Sequence, residues 1–195
     1  MKHIGTQAFD TCRLILRPFV SLDAEGMLRN WAADPDIQNE YGEPVYSDIQ
    51  QVNGLLKKYM DGYENPDNYR WAIIEKYSGE NIGQIAFCKV WEDCRTAEIE
   101  YCIGKRFWGH GYAGEALSAV IRYAFSFTDF EKLEAYHRAE NTKSGRVLEK
   151  SEMHKTDTVQ RFVREGIVPE GEVCYCIEKN NIILNPQSSL QKTIG

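Results

Sequence analysis

The segment Arg106-Phe107-Trp108-Gly109-His110-Gly111-Tyr112-Ala113 separates two kinds of sequence. A strand-like run ends just before it, and a strongly periodic helix begins inside it. Ala113, Ala116, Leu117, Val120, Ile121 and Ala124 recur at i, i+3, i+4, i+7, i+8 and i+11, which is one apolar helix face. The two leading glycines let the backbone approach a ligand closely. The helix start behind them offers unpaired N–H groups and the positive end of its dipole. Such a place receives a phosphate or pyrophosphate, with Arg106 at hand as a counter-charge.

Upstream of this segment lie three strand candidates, over 70–76, 82–91 and 96–103, joined by Ser78-Gly79-Glu80-Asn81 and Glu92-Asp93-Cys94. Turns this short require an antiparallel meander, because parallel strands need a long crossover. Further out, Arg13-Leu14-Ile15-Leu16-Arg17-Pro18 reads as a strand stopped by proline. Ser21 is placed to cap a helix over 22–33, ended by Asp34-Pro35. Ser47 and Gln50 form a capping box for a helix with Ile49, Val52, Leu56 and Tyr59 on its apolar face and Gly62 at its end.

Downstream, 132–139 is a strand, and Asn141 precedes a helix ending near Lys150. Segments 156–163 and 173–179 read as a closing hairpin around Gly166 and Gly171, and the tail from Asn180 has no strong pattern. The order β-α-α-β-β-β-α-β-α-β-β predicts an α/β (α+β) chain: one domain over 1–195 with a mixed sheet and flanking helices. The strand–helix–strand unit over 96–139 is expected to be a right-handed parallel crossover.

Composition narrows the function classes. With 43% hydrophobic, 27% charged and 12% aromatic residues, the chain has an ordinary globular make-up rather than a disordered one. A net charge of -6 disfavours nucleic-acid binding and suits a cationic acceptor such as an amine. No apolar run is long enough to span a bilayer, and no apolar leader opens the chain, so a cytoplasmic location is expected. The six cysteines (Cys12, Cys88, Cys94, Cys102, Cys174 and Cys176) form no C-x-x-C pair and read as structural thiols, with no metal site.

Gly109, Gly111 and Gly114 also spell G-x-G-x-x-G, and Glu140 ends the following strand as a ribose-binding acid would. Context argues against a nicotinamide dinucleotide. In that fold the first glycine directly follows the first strand, whereas here residues 105–108 intervene after a meander. Too little chain follows Glu140 for the remaining β-α units.

The sequence resembles the GNAT superfamily of N-acetyltransferases, and within it the bacterial enzymes that acetylate N-terminal alanine or serine residues of ribosomal proteins. Four pieces carry the resemblance. They are the opening strand with Asp23 and Asp34-Pro35; Ala97-Glu98-Ile99-Glu100-Tyr101-Cys102-Ile103; the loop from Arg106 to Ala113; and His137-Arg138-Ala139-Glu140-Asn141-Thr142-Lys143-Ser144 with Arg146-Val147-Leu148-Glu149-Lys150. The resemblance implies acetyl-CoA as cosubstrate, a primary amine of a protein N-terminus or of a small molecule as acceptor, and direct transfer through a tetrahedral intermediate; it also leaves room for a homodimer. It implies a mostly antiparallel sheet with splayed central strands, the pantetheine lying against Glu98 to Ile103. The pyrophosphate would sit on Arg106, Trp108, Gly109, His110, Gly111, Tyr112 and Ala113, with Cys102, Ile103, Asn141 and Ser144 also contacting the cosubstrate. A protein of the same fold that binds acyl-CoA without turnover is the competing reading.

Acetylating an amine requires a base, a donor to the developing oxyanion and help for the leaving thiolate. Glu98 and Glu100 lie two apart on one strand, hence on one face, where two like charges push one pKa toward a useful range. The alternative is that both are solvent-facing edge charges. By resemblance, a backbone N–H near Cys102 or Ile103 is the oxyanion donor and Ser144 the general acid; its alternative is an ordinary first-turn serine, as Asn141 is also an N-cap. His137, alternating with Leu133 and Ala135, reads as a satisfied core histidine. The resemblance also implies glycine where Glu152 stands. If that turn is left-handed, Glu152 is strained and Glu152→Gly stabilises by about 1 kcal/mol.

Overall fold

The computed structural model describes residues 1–182, so most of the tail from Asn180 lies outside the described residues. Its backbone is an eight-stranded sheet in the order β1-β2-β3-β4-β5-β6-β8-β7. The strands are β1 (Phe9–Asp10), β2 (Leu14–Arg17), β3 (Tyr69–Glu75), β4 (Asn81–Trp91), β5 (Thr96–Ile103), β6 (Lys132–Arg138), β7 (His154–Thr156) and β8 (Glu172–Glu178). Every neighbouring pair is antiparallel except β5–β6, the expected parallel crossover. Helix α4 (Tyr112–Phe127) makes that crossover and buries Ala116, Leu117, Val120, Ile121 and Ala124. It covers the face carrying Leu14, Leu16, Trp71, Ile73, Ile85, Ala97 and Ile99. The opposite face, with Ala72, Ile74 and Cys102, packs on the early helices.

Those helices depart from the sequence reading. The chain winds from Ser21 to Ala32 in three stretches, the middle one being α1 (Ala24–Met27), flanked by a tight turn and a wide turn. Asp34-Pro35 ends this winding and also opens α2 (Pro35–Tyr41): Asp34 is the N-cap and Pro35 the first helical residue. In α3 (Ile49–Gly62) the N-cap is Asp48, not Ser47; its carboxylate accepts from the N–H groups of Gln50 and Gln51, and Gln51 reaches back to Ser47 N–H.

The closing hairpin over 156–163 is corrected as well. Gln160–Glu165 is a helix, and the strand beside β8 is the earlier His154–Thr156. The reason is electrostatic. Glu98 on β5 and Glu134 on β6 stand opposite each other in register and are buried, at 3% and 0% exposure. The short helix answers both: Gln160 N–H donates to Glu134 Oε2 at 2.7 Å, and Arg161 pairs with Glu98. Lys132 Nζ lies 2.6 Å from the other Glu134 oxygen.

The α5 helix (Thr142–Glu149) follows its Asn141 cap. Past it, Ser151 Oγ donates to the Leu148 carbonyl and accepts from Met153 N–H, closing the turn without a left-handed residue. Among the described residues only Arg95 outside glycine has a positive φ, so Glu152 is unstrained. Its carboxylate meets Ser118 Oγ at 3.1 Å and Arg122 Nη2 at 2.7 Å. Glu152→Gly is therefore expected to destabilise, by about 1 kcal/mol, through lost half-exposed contacts and added chain entropy; urea unfolding of the two proteins reads the sign. All six cysteines are free, with Cys102, Cys174 and Cys176 buried. No helix among the described residues is long and apolar enough to cross a membrane.

Candidate active site

Strands β5 and β6 pair only at Thr96↔Lys132, Ala97↔Leu133 and Glu98↔Glu134, then diverge. Among the described residues, one edge of β5 faces no strand from Ile99 onward. Gly104 N–H donates to the Ile82 carbonyl on β4. Antiparallel alternation then turns the N–H of Cys102 toward β4 and those of Tyr101 and Ile103 toward the gap.

A cavity of about 770 Å³ opens from this gap. Its walls are the end of β5, the glycine loop, the first turns of α4 and α5, and one side of α2. Gly109 and Gly111 have φ of 81° and 80°, a left-handed conformation that a side chain resists. Gly111 caps α4, so the N–H groups of Tyr112, Ala113 and Gly114 have no intrahelical carbonyl to meet and remain for an anion. The loop is clamped from outside. Arg13 binds Glu115 through Nε at 2.6 Å, donates to the His110 carbonyl at 2.8 Å, and stacks on the Tyr112 ring at 4.8 Å. Trp108 Nε1 donates to the Ile103 carbonyl at 2.6 Å, fixing that ring as a wall.

Cys102, Ile103, Trp108, Gly109, Gly111, Tyr112, Ala113, Asn141 and Ser144 all line the cavity. Asn141 Oδ1 accepts from Ser144 N–H at 3.1 Å as an N-cap, and the Tyr101 hydroxyl donates to the Ser144 carbonyl. Arg106 does not line it: its guanidinium binds Glu80 at 2.8 and 3.0 Å. The exposed His110 contributes a carbonyl to the loop's anchoring, and its ring stacks on Tyr112. The cavity's cations come instead from α5 and its end: Lys143, whose ammonium sits 3.8 Å from the Trp108 ring centre, Arg146 and Lys150.

The two glutamates share a face but have different surroundings. Glu98 is enclosed: Arg161 grips both oxygens at 2.6 and 2.9 Å, and Cys88 Sγ donates at 3.1 Å from the bulge in β4. Burial and the two glutamates push the Cys88 thiol far above its usual range. Glu100 is a quarter exposed; its Oε1 accepts from Tyr41 Oη at 2.7 Å and Arg70 Nη2 at 2.9 Å. Neither is the edge charge of the bland alternative. Tyr41 and Ile37, which also line the cavity, went unread because α2 itself did. His137 is half-buried against Gly145 of α5, with Nδ1 2.7 Å from the Arg138 carbonyl and Nε2 without a hydrogen-bond partner among the described residues, so there it is only partly satisfied.

The sequence profile described as acetyltransferase (GNAT) domain matches residues 13–154, well over half of the chain. The chain belongs to the GNAT acetyltransferases. It is 29% identical over 170 residues to the uncharacterized N-acetyltransferase YoaA of Bacillus subtilis, covering 87% of this chain and 96% of that one. The fold of this acetyltransferase superposes on Mycobacterium smegmatis RimJ in complex with CoA-disulfide with a TM-score of 0.76, at 20% identity and with 93% and 92% of the two chains covered. It superposes on the ribosomal-protein-S5-alanine acetyltransferase of Vibrio fischeri with a TM-score of 0.72, at 15% identity and 89% and 97% coverage.

Proposed function

We propose that this acetyltransferase carries the acetyl group of acetyl-CoA to a primary amine by direct transfer. One observation carries the reading: a single cavity joins the free amides of the α4 start to the unpaired edge of β5 and then to the Tyr41–Glu100 pair. That succession fits an anionic pyrophosphate, an amide-rich arm and a cationic acceptor in turn. Acetyl-CoA supplies the activated thioester.

The loop and helix start from Trp108 to Gly114 hold the pyrophosphate on their backbone, and Lys143, Arg146 and Lys150 add positive charge. Tyr101 or Ile103 donates its free N–H to the thioester carbonyl oxygen, a refinement of the Cys102 or Ile103 expectation. Glu100 is the base. Glu98 is locked by Arg161 and takes no proton. The Ser144 hydroxyl serves the leaving sulfur as acid. A protein N-terminus is the first acceptor class to try, since an alanine can offer a primary amine only there and the Vibrio fischeri protein is named for an alanine of ribosomal protein S5.

Thermal unfolding with acetyl-CoA, CoA and NAD side by side tests the reading. A ligand at a hundredfold excess over its Kd adds about 2.7 kcal/mol, a rise in Tm of roughly 5–10 °C for a chain of this size. Acetyl-CoA and CoA are expected to give that rise and NAD none. A rise with NAD alone would restore the dinucleotide reading.

A further inference from the structure

We propose that the Tyr41 hydroxyl takes the proton of the acceptor amine and passes it to Glu100, so that α2 supplies a catalytic residue. The proposal rests on the amine-acetylation reading above. Tyr41 is the last residue of α2 and forms part of the cavity wall. Glu100 is not itself part of that wall, although its neighbours Tyr101 and Cys102 are. The 2.7 Å hydrogen bond from Tyr41 Oη to Glu100 Oε1 therefore joins a residue of the cavity wall to the carboxylate.

The arrangement is braced from behind. Arg70 Nη2 binds the same Glu100 oxygen at 2.9 Å, and its Nη1 binds Gln84 Oε1 at 2.6 Å and approaches Tyr41 Oη at 3.4 Å. The guanidinium lies 4.4 Å from the centre of the Tyr59 ring. The groups facing the pair are thus Arg70 from β3, Tyr59 from α3, Glu43 beyond α2, Cys88 from β4 and Cys102 from β5, with Glu98 on the far side of Cys88. Burial and the Glu100 carboxylate hold the Tyr41 phenol well above its usual range, so the O–H is intact at neutral pH and acts as a relay.

The protons balance. An acceptor entering as R–NH3⁺ gives one proton to Tyr41 Oη while Tyr41 gives its own to Glu100 Oε1. The freed lone pair forms the N–C bond, and the C–S bond breaks with its electron pair on sulfur. A second nitrogen proton ends on that sulfur, through the Ser144 hydroxyl, giving the thiol; the third stays in the amide. Glu100 returns its proton to water.

Thiol release is followed with alaninamide and serinamide as acceptors between about pH 6 and 9, at saturating acetyl-CoA. Tyr41→Phe is expected to lower kcat about 100-fold near pH 7 while keeping the acetyl-CoA thermal shift. The deficit should shrink above about pH 8, where the amine is already neutral. Glu100→Gln should give the same profile, and the double variant should fall no further than either single one. A Tyr41→Phe enzyme with unchanged kcat, or with a deficit equal at every pH, overturns the relay and leaves the acetylation reading standing. A wild-type protein that binds acetyl-CoA but releases no thiol with either amide overturns that reading, and the relay with it.

Discussion

Arg161→Ala is expected to cost about 3 kcal/mol of folding stability, read as a fall in the urea midpoint at unchanged slope. The argument starts from Glu98, 3% exposed on a strand interior. Its carboxylate is satisfied by the bidentate Arg161 fork and by the Cys88 thiol. Removing the fork leaves a buried charge with one weak donor. The arginine is itself partly open to water, which places the estimate at the lower end of the range for such breaks. Arg161→Lys should recover only part, because a point charge cannot bind both oxygens. Adding Glu98→Gln to Arg161→Ala should recover more, since the uncompensated charge is then gone. An Arg161→Ala protein as stable as wild type would mean that water reaches Glu98.

That pair also explains where the sequence was legible. Periodic apolar residues on α4 and short turns between β3, β4 and β5 are local signals, and they read correctly. The loop's glycines and the Asn141 cap are likewise local, and they fall where the cavity is. The misread features hang on partners far along the chain or on a second local signal. Segment 160–165 alternates weakly enough to pass for a strand; it is a helix because Glu98 and Glu134, more than twenty residues upstream, need its N-terminus and its arginine. Asp34-Pro35 is both a stop and a start signal, and reading only the stop lost α2 and with it Tyr41. Spacing put Glu98 and Glu100 on one face, but only packing shows that one is locked and the other meets the cavity wall. Arg106 looked like a counter-charge by position, yet Glu80 lies nearer to hand. Glu152 looked strained by resemblance, yet Ser151 closes the turn by another hydrogen-bond pattern.

Two glycine substitutions should separate what the fold needs from what the ligand needs. Gly83 on β4 pairs with Ile103, and a Cβ there would strike the Cys102 carbonyl oxygen and sit 3.0 Å from Ile103 Cα. Both are backbone atoms held in the ladder, so the strands must part or slip. Gly83→Ala is expected to destabilise by about 3 kcal/mol and to weaken acetyl-CoA binding, because the displaced strand is the one whose free edge lines the cavity. Gly114 is the opposite case. It lies in the first turn of α4 with an ordinary φ, and a Cβ there would meet nothing within 4 Å. Gly114→Ala should raise the stability of the ligand-free protein by about 0.5–1 kcal/mol through helix propensity. It should also reduce the acetyl-CoA thermal shift, because the added methyl enters the cavity where the proposed phosphate site meets the backbone. The two proteins would then move in opposite directions without ligand and in the same direction with it. A Gly114→Ala protein that keeps the full acetyl-CoA shift would mean the phosphates rest on Gly109 to Ala113 alone, and that this third glycine answers to neither fold nor ligand.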